Sequence, residues 1–145
     1  MSLDEIVEIL ALAAPFVTLD KEQLKLIGFV SEEMHLVADQ VLISEGDVAA
    51  GAYILVNGIL SAHHEGGHRS ETMNAPGTAI GELALLVEQP RSATITATSD
   101  AHILFVPRQH FMRLLENYPE LARKVTDQVR HSMQNYVSAL SRVGQ

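Results

Sequence analysis

The sequence predicts an α+β fold, with an antiparallel, jelly-roll-like β-roll flanked by N-terminal helices and a long C-terminal helix. Apolar residues follow a helical period over residues 1–34, and this period returns over residues 108–145. Between them, residues 35–107 consist of short β-rich runs separated by turn signals such as Asn57-Gly58. Several short strands at this spacing are typical of an antiparallel roll or small barrel. We therefore expect one domain over residues 1–145.

Two helices are predicted before the β-rich zone. Ser2 with Glu5 has the spacing of a capping box, and Asp20 with Gln23 has the same spacing ahead of the second apolar stretch. Pro15 lies between the two stretches and is expected to separate the helices.

The composition restricts the classes of function. The sequence contains no cysteine, which excludes disulfides and thiol chemistry. Its formal net charge of −8 argues against a direct nucleic-acid partner, because neutralising phosphates requires clustered Lys and Arg. The N-terminus has no basic stretch of the kind that opens a signal peptide, and no apolar run approaches the ~18 residues of a membrane span. We therefore expect a cytoplasmic domain with no membrane partner.

The segment from Gly81 to Thr94, GELALLVEQPRSAT, places one acid and one arginine around a short apolar run. A helical turn over ELALL would leave its first backbone N–H groups unpaired, and such groups attract an anion. Arg91 would supply a charge-assisted partner for that anion through its fork of donors. Glu82 cannot bind an anion, but its carboxylate can accept hydrogen bonds from neighbouring hydroxyl groups.

Small side chains surround these two charged residues. Ser92 adds a hydroxyl beside the arginine, while Ala84 and Ala93 leave room for a ligand to approach the backbone. Gly81 is interpreted both as a turn glycine and as a point of close approach. An anion flanked by a hydroxyl is what a ribose phosphate presents, so the segment is predicted to bind one. Taken singly, Glu82 is also typical of a helix's first turn, where an acid complements the dipole.

GELALL followed by PRSAT resembles the phosphate-binding cassette of the cyclic nucleotide-binding domain family, which includes catabolite activator protein and the regulatory subunits of protein kinase A. The similarity runs from about Leu24 onward and keeps the family's order of elements. It includes the paired strands in VLISEGDVAAGAYILVNGIL, the approach to the cassette in APGTAIGE, and the closing helices in ILFVPRQHFMRLLENYPELARKV. We call residues 81–94 the cassette.

The resemblance implies a role for each residue of the cassette. In the family, the acid holds the ribose 2′-hydroxyl and the arginine holds the cyclic phosphate, and these roles fall on Glu82 and Arg91. The backbone amides around Leu83 and Ala84 would complete the phosphate site, with Ser92 next to the phosphate. A serine after the arginine resembles the catabolite activator pattern, so we expect cyclic AMP to be preferred over cyclic GMP.

The histidines of the sequence HHEGGH invite a metal hypothesis. However, neighbouring residues on a strand face opposite ways, so His63 and His64 cannot easily chelate one ion. An exposed hairpin tip that also carries His68 is the preferred interpretation, and no metal is expected. The sequence also offers no paired carboxylates, no Ser-His-acid arrangement and no nucleophile elbow. We therefore expect a binding module and not an enzyme.

Pro119 is well placed for the first turn of a long helix that is predicted to run to about Val143. Counted from this proline, residues spaced alternately by four and three form a heptad pattern: Ala122, Thr126, Val129, Met133, Tyr136, Leu140 and Val143. This pattern favours a parallel homodimer along the helix, although its first part could equally pack on the β-roll. The resemblance also places Tyr136 near the base-capping position, and a role in dimer packing alone is the alternative.

Two classes of function follow from the sequence. The first is a cyclic nucleotide sensor that passes ligand binding to its C-terminal helix, and through it to an effector that could be a separate protein. The second is an interaction or dimerisation module that keeps the fold and binds no nucleotide. The presence of both Glu82 and Arg91 favours the first class.

Overall fold

The computed structural model describes residues 1–67 and 70–143, and the side chains of residues 1–67 and 70–134. These residues form two four-stranded antiparallel sheets with helices on either side of them in the sequence. The α+β fold class and the β-roll predicted from the sequence are therefore confirmed.

The helices account for both ends of the described chain. Their bounds are α1 Leu3–Leu10, a short 3₁₀ helix Ala14–Phe16, α2 Lys21–Val30, α3 Arg108–Asn117 and α4 Pro119–Val143. The predicted capping box of α2 is present, since Gln23 N donates to Asp20 Oδ1 at 2.8 Å and Asp20 N donates to Gln23 Oε1 at 3.0 Å. At α1, the Ser2 hydroxyl accepts from Glu5 N at 3.2 Å. Both helices thus begin where their caps predict.

The predicted helical zone of residues 1–34 is too long. Helix α2 ends at Val30, and Ser31 already has an extended backbone with φ −80° and ψ 152°. Residues 32–36 then form a strand that pairs along its whole length with the last strand of the roll. The backbone hydrogen bonds of this pairing replace those that a longer helix would have made, so tertiary pairing overrides the helical pattern here.

The strands are β1 Glu32–Leu36, β2 Val41–Ile43, β3 Gly51–Asn57, β4 Leu60–His63, β5 Ser70–Met73, β6 Ala79–Ile80, β7 Thr94–Ala97 and β8 Ala101–Pro107. One sheet has the order β1-β8-β3-β6 and the other has the order β2-β7-β4-β5. A second 3₁₀ helix, Glu82–Leu85, leaves the roll between β6 and β7. The cassette is therefore an excursion between β6 of one sheet and β7 of the other.

Strands β3 and β8 are buried on both faces because their side chains alternate between two apolar clusters. Ile54 and Leu104 belong to a cluster shared with the helices, whereas Leu55 and Ile103 belong to a cluster between the two sheets. All four side chains are fully buried. The two strands therefore form the packed centre of the domain, where β3 pairs with β6 just before the cassette and β8 leads directly into α3.

Helix α4 packs on the domain through one face, and this face differs in phase from the predicted heptad pattern. Leu121, Val125 and Val129 are buried in the helix-side cluster. Of these, only Val129 belongs to the predicted pattern, since Ala122 and Thr126 are just half-buried on the neighbouring stripe. The buried face follows a spacing of four, which an α-helix keeps over two turns.

Beyond Val129 the helix leaves the core. Met133 is 48% exposed, whereas Val129 one turn earlier is 2% exposed. The remaining members of the predicted heptad pattern, Tyr136, Leu140 and Val143, lie outside the residues whose side chains the structure describes.

Candidate functional site

Gly81 shapes the start of the cassette. It has φ 71° and ψ 42°, the left-handed conformation that glycine adopts at least cost, and the 3₁₀ helix Glu82–Leu85 begins directly after it. A Cβ atom at Gly81 would also collide with Arg91 Nη1. The glycine is therefore required both by the turn and by the close approach of the arginine side chain.

Arg91 is held in place by both its backbone and its side chain. Its backbone N–H donates to Asp47 O at 2.7 Å, and its carbonyl accepts from Gly46 N at 2.9 Å. Its Nη2 donates to Gly51 O at 2.7 Å, and its guanidinium carbon lies 5.4 Å from the centre of the Tyr53 ring. The hydrogen bond and the cation–π contact fix the orientation of the guanidinium group before any ligand arrives.

Two buried polar atoms in the cassette have no hydrogen-bond partner within the described part of the chain. They are Glu82 Oε2 and Arg91 Nη1. A buried polar atom that makes no hydrogen bond costs about 1–3 kcal/mol, and more when the group is charged. Such atoms are rare in folded proteins and call for an explanation at each position.

Burial also perturbs the titration of both groups. It raises the pKa of Glu82 above the usual range of a glutamate. Burial likewise lowers the pKa of Arg91, where the Tyr53 hydroxyl acts in the opposite direction and Arg108 adds to the lowering. Both pKa shifts mean that the charged form of the group is disfavoured. The hydrogen bonds and charges of the described chain do not replace the water that Glu82 and Arg91 lose on burial.

Glu82→Gln is expected to raise the free energy of unfolding of the protein at neutral pH, by less than about 1 kcal/mol because the half-exposed side chain is screened by solvent. The raised pKa means that the folded state binds the proton of Glu82 more tightly than the unfolded state does. Stability from this group is therefore complete below its unfolded-state pKa and is lost as the pH rises through the raised value. The difference in free energy of unfolding between Glu82→Gln and the native protein should therefore disappear at acid pH.

Denaturant unfolding at neutral and acid pH measures this difference, with the exposed Glu116→Gln on α3 as the matched control. A Glu82→Gln protein that is no more stable than the native protein at neutral pH would contradict the burial argument.

The backbone N–H groups of the cassette are not all available to bind a ligand. Ala84 N donates to Gly81 O at 3.0 Å, because the 3₁₀ helix closes its first turn through this bond. The predicted contribution of the Ala84 amide to an anion site is therefore at odds with this geometry, in which that N–H is already engaged. The small side chain of Ala84 is fully buried, so it does not project into the space beside the cassette.

Arg108 connects the cassette to the start of α3, and the sequence analysis did not identify it. Its Nη1 donates to Ala49 O at 2.6 Å and to Ala84 O at 3.1 Å. Glu88 lies 4.0 Å from the same guanidinium group. The only signal for this role in the sequence was a basic residue directly after Pro107, where β8 ends. The bond to Ala84 O connects the 3₁₀ helix of the cassette directly to the first residue of helix α3.

The end of the cassette is open to solvent at Ser92. This residue is exposed, and its carbonyl lies 2.7 Å from His64 Nδ1, which donates to it in the tautomer that carries a proton there. Ala93, which is half-buried, follows it directly before β7 begins at Thr94. His63 and His64 are exposed near the β4–β5 turn as predicted, while His68 lies outside the described residues.

A cleft of about 590 Å³ separates the cassette from α4. Its lining comes from the roll and cassette on one side and from α4 on the other: Ala79, Gly81, Glu82, Leu83, Gln89, Ser92, Val129, Ser132 and Met133. A smaller pocket of about 80 Å³ adjoins it and includes Arg91, Ser92 and Ala93 in its lining. Of the predicted cassette residues, Gly81, Glu82, Leu83 and Ser92 line the cleft, and Gly81, Arg91, Ser92 and Ala93 line the adjoining pocket. Ala84 lines neither of them, and the side chain of Tyr136 lies outside the described residues.

This chain belongs to the cyclic nucleotide-binding domain family. The family model matches residues 33–118, which cover the roll, the cassette and α3. The resemblance identified from the sequence is thereby confirmed.

The chain is similar to segments of much longer proteins. It is 30% identical over 132 residues to a lysophospholipase from Aspergillus niger, a match that covers 89% of this chain and 9% of that protein. Across the curated relatives, the match spans only between 6% and 9% of their length.

Solved structures show the same fold. The N-terminal domain of a transcriptional regulator from Streptomyces coelicolor superposes with a TM-score of 0.80 and 26% identity, covering 91% of this chain and 94% of that one. The regulatory domain of Toxoplasma gondii protein kinase A, solved with cyclic AMP, superposes with a TM-score of 0.68 and 32% identity, covering 77% of this chain and 43% of that one.

Among the helices of residues 1–67 and 70–143, none combines the length and apolar character needed to cross a membrane.

Proposed function

We propose that this domain is a sensor that binds a cyclic nucleotide in the cleft between the cassette and α4, with cyclic AMP preferred over cyclic GMP. The observation that carries the proposal is that two buried atoms, Glu82 Oε2 and Arg91 Nη1, have no partner among the described residues, and that their residues line the adjoining cleft and pocket. The first needs a hydrogen-bond donor and the second needs an acceptor. A cyclic ribose phosphate supplies both, as a 2′-hydroxyl and an anionic oxygen.

The phosphate is assigned to Arg91. Its Nη2 is already committed to Gly51 O, so Nη1 is the atom that would meet the phosphate. Gly81 has no side chain to collide with this atom. The amide of Leu83 precedes the first hydrogen bond of the 3₁₀ turn, which Ala84 N makes, and is assigned to the phosphate as a backbone donor. Ser92 and Ala93 would border the phosphate with a hydroxyl and a small side chain.

The ribose is assigned to Glu82. This residue lies at the start of the 3₁₀ helix and lines the cleft, so its carboxylate faces the space that a sugar joined to the phosphate would occupy. A 2′-hydroxyl that donates to Oε2 would remove the cost of leaving this atom unpaired. The burial that disfavours the free carboxylate thus becomes a source of selectivity for ribose.

The preference for cyclic AMP rests on Ser92 and on the relative from Toxoplasma gondii whose structure contains cyclic AMP. Tyr136 stands four residues after Ser132 and three after Met133, both of which line the cleft on α4. This spacing puts it on the same helix face, from which we propose that its ring covers the base.

Isothermal titration of the chain with cyclic AMP and with cyclic GMP tests the binding proposal and the preference together. We expect both ligands to bind at one site per chain, with cyclic AMP the tighter. Tighter binding of cyclic GMP would reverse the preference and keep the site. No binding of either ligand would favour the interaction module that retains the fold without a nucleotide.

The lining of the cleft supports the proposal that α4 relays ligand binding. Val129, Ser132 and Met133 form the α4 side, so a ligand in the cleft would contact the cassette and the helix at once. A ligand shifts the helix only through a difference in its affinity for two helix positions. Since Val129 is buried and Met133 is half-exposed, the part of α4 that responds is expected to begin after Val129.

A parallel homodimer along the C-terminal part of α4 is expected, because Met133 is exposed where the helix leaves the core. The double variant Met133→Glu/Leu140→Glu should be monomeric, since it would place charges in the apolar contact. Sedimentation of native and variant protein, with and without nucleotide, measures this. A native protein that stays monomeric at high micromolar concentration in both states would rule the dimer out.

The lysophospholipase relatives suggest how such a sensor is used. The similar segment is a small part of each of those proteins. We therefore propose that this domain regulates an effector, in the same protein or in a separate one, and performs no catalysis itself. The sequence without cysteine supports a cytoplasmic location.

A further inference from the structure

Three potential metal ligands meet on strands β1 and β8, away from the cassette. Glu33 and His35 lie two residues apart on β1, so their side chains project from the same face. His102 on β8 is the direct cross-strand partner of His35. The described lining of the cassette cleft contains none of the three residues.

The two histidine rings face each other closely. Their centroids are 4.3 Å apart and their planes differ by 19°. His102 Nε2 lies 2.9 Å from Glu33 Oε1, and one ligand atom from each of the three residues lies within 4.8 Å of the others. Two ligand atoms that bind one zinc ion at 2.0–2.1 Å are about 3.0–3.4 Å apart. The stacked rings point their in-plane lone pairs in nearly parallel directions, so the exposed His35 has to change its side-chain rotamer to aim a nitrogen at an ion held by His102 and Glu33.

The surroundings leave space for the remaining coordination positions. A cleft of about 320 Å³ opens beside the histidines, and its lining includes Asn57 and Asp100. Asp100 already accepts from Ala38 N at 3.0 Å, so it is not counted as a ligand. The amino group of Met1 contacts Glu33 at 3.2 Å, and an ion would have to share this carboxylate with it or displace it.

We propose that Glu33, His35 and His102 form a site for a divalent transition-metal ion, with zinc as its expected occupant. Two imidazoles and one carboxylate suit ions of intermediate softness, whereas magnesium and calcium prefer oxygen ligands alone. Ligation through His102 Nε2 requires the neutral tautomer with its proton on Nδ1, so a proton that lies between Nε2 and Glu33 Oε1 moves to Nδ1 or to solvent when the ion binds. The ion joins β1 to β8 and therefore stabilises the folded state.

Isothermal titration of the chain with zinc chloride alone, after removal of any polyhistidine tag, tests the proposal. We expect one ion to bind per chain and to raise the unfolding temperature. His35→Gln and His102→Gln should each weaken zinc binding by at least about tenfold, the lower bound reported for changes to groups that only support a ligand. Millimolar magnesium should neither compete nor stabilise.

The triple variant His63→Gln/His64→Gln/His68→Gln is the matched control, since it removes the other histidine cluster and should keep zinc affinity within about threefold. His35 is exposed, so its variant is expected to fold normally, and circular dichroism without metal verifies this. A folded His35→Gln protein with native zinc affinity would overturn the proposal. Loss of binding in the triple variant alone, or absence of binding to native protein, would also overturn it.

Discussion

Arg91→Ala is expected to weaken binding of cyclic AMP by about 2–5 kcal/mol, the usual cost of removing one partner of a buried charged pair. Gly51 and Tyr53 hold the arginine, and its Nη1 makes no hydrogen bond among the described residues, so this donor has no partner to give up when a ligand binds. Arg91→Lys should restore only part of the affinity, because lysine cannot bond Gly51 O and a phosphate through one planar fork.

Calorimetry on native and variant proteins measures this loss, and Arg113→Ala on the exposed side of α3 is the control for removing a positive charge. Circular dichroism separates a binding defect from misfolding, since Arg91→Ala also removes the bond to Gly51 O. Affinity that stays within about threefold of native in a folded Arg91→Ala protein would remove Arg91 from the phosphate site.

A 2′-deoxy cyclic nucleotide is expected to bind native protein about 1–3 kcal/mol more weakly than the ribonucleotide, because Glu82 Oε2 stays buried without a donor. This corresponds to roughly a 5- to 150-fold loss of affinity. The deoxy ligand should bind about equally to native protein and to Glu82→Gln, if the contact with the 2′-hydroxyl is the only one lost.

Four titrations, of the two ligands into the two proteins, form a cycle that isolates this contact. Glu116→Gln, an exposed position on α3, should show the native preference for the ribonucleotide. Equal affinity of native protein for the ribo and deoxy ligands would exclude Glu82 from the ribose site.

Local patterns in the sequence predicted the parts of the fold that depend on neighbouring residues. The cap at Asp20 and Gln23, the helix start at Pro119 and the turn at Gly81 each follow from the chemistry of a few adjacent residues. Glu82 and Arg91 were predicted to share a site for the same reason, since only a short excursion from the roll separates them.

Contacts between distant segments could not be predicted in this way. Gly51 and Tyr53 on β3 orient Arg91, and Gly51 lies 40 residues from it in the sequence. Nothing in the apolar run around these two residues predicts that role. The pairing of β1 with β8 likewise ended α2 early and brought His102 beside His35. These contacts depend on strand register, which the whole fold determines.

The face of α4 that packs on the core could not be predicted either, for a different reason. Leu121 and Ala122 begin two neighbouring apolar stripes, and the period of the helix allows either to face the core. The structure buries the stripe of Leu121 and Val125, which contains the larger side chains and so removes more apolar surface from water. The heptad count from Pro119 could not distinguish the two stripes by spacing alone.

A crystal structure of this chain with cyclic AMP is the most direct test of the account. We predict that a phosphate oxygen lies within hydrogen-bond distance of Arg91 Nη1, that the ribose 2′-hydroxyl donates to Glu82 Oε2, and that the nucleotide fills the cleft against Ser132 and Met133. A nucleotide bound elsewhere, or bound in this cleft with both Glu82 Oε2 and Arg91 Nη1 still unpaired, would contradict the assignment of these two atoms to the ligand.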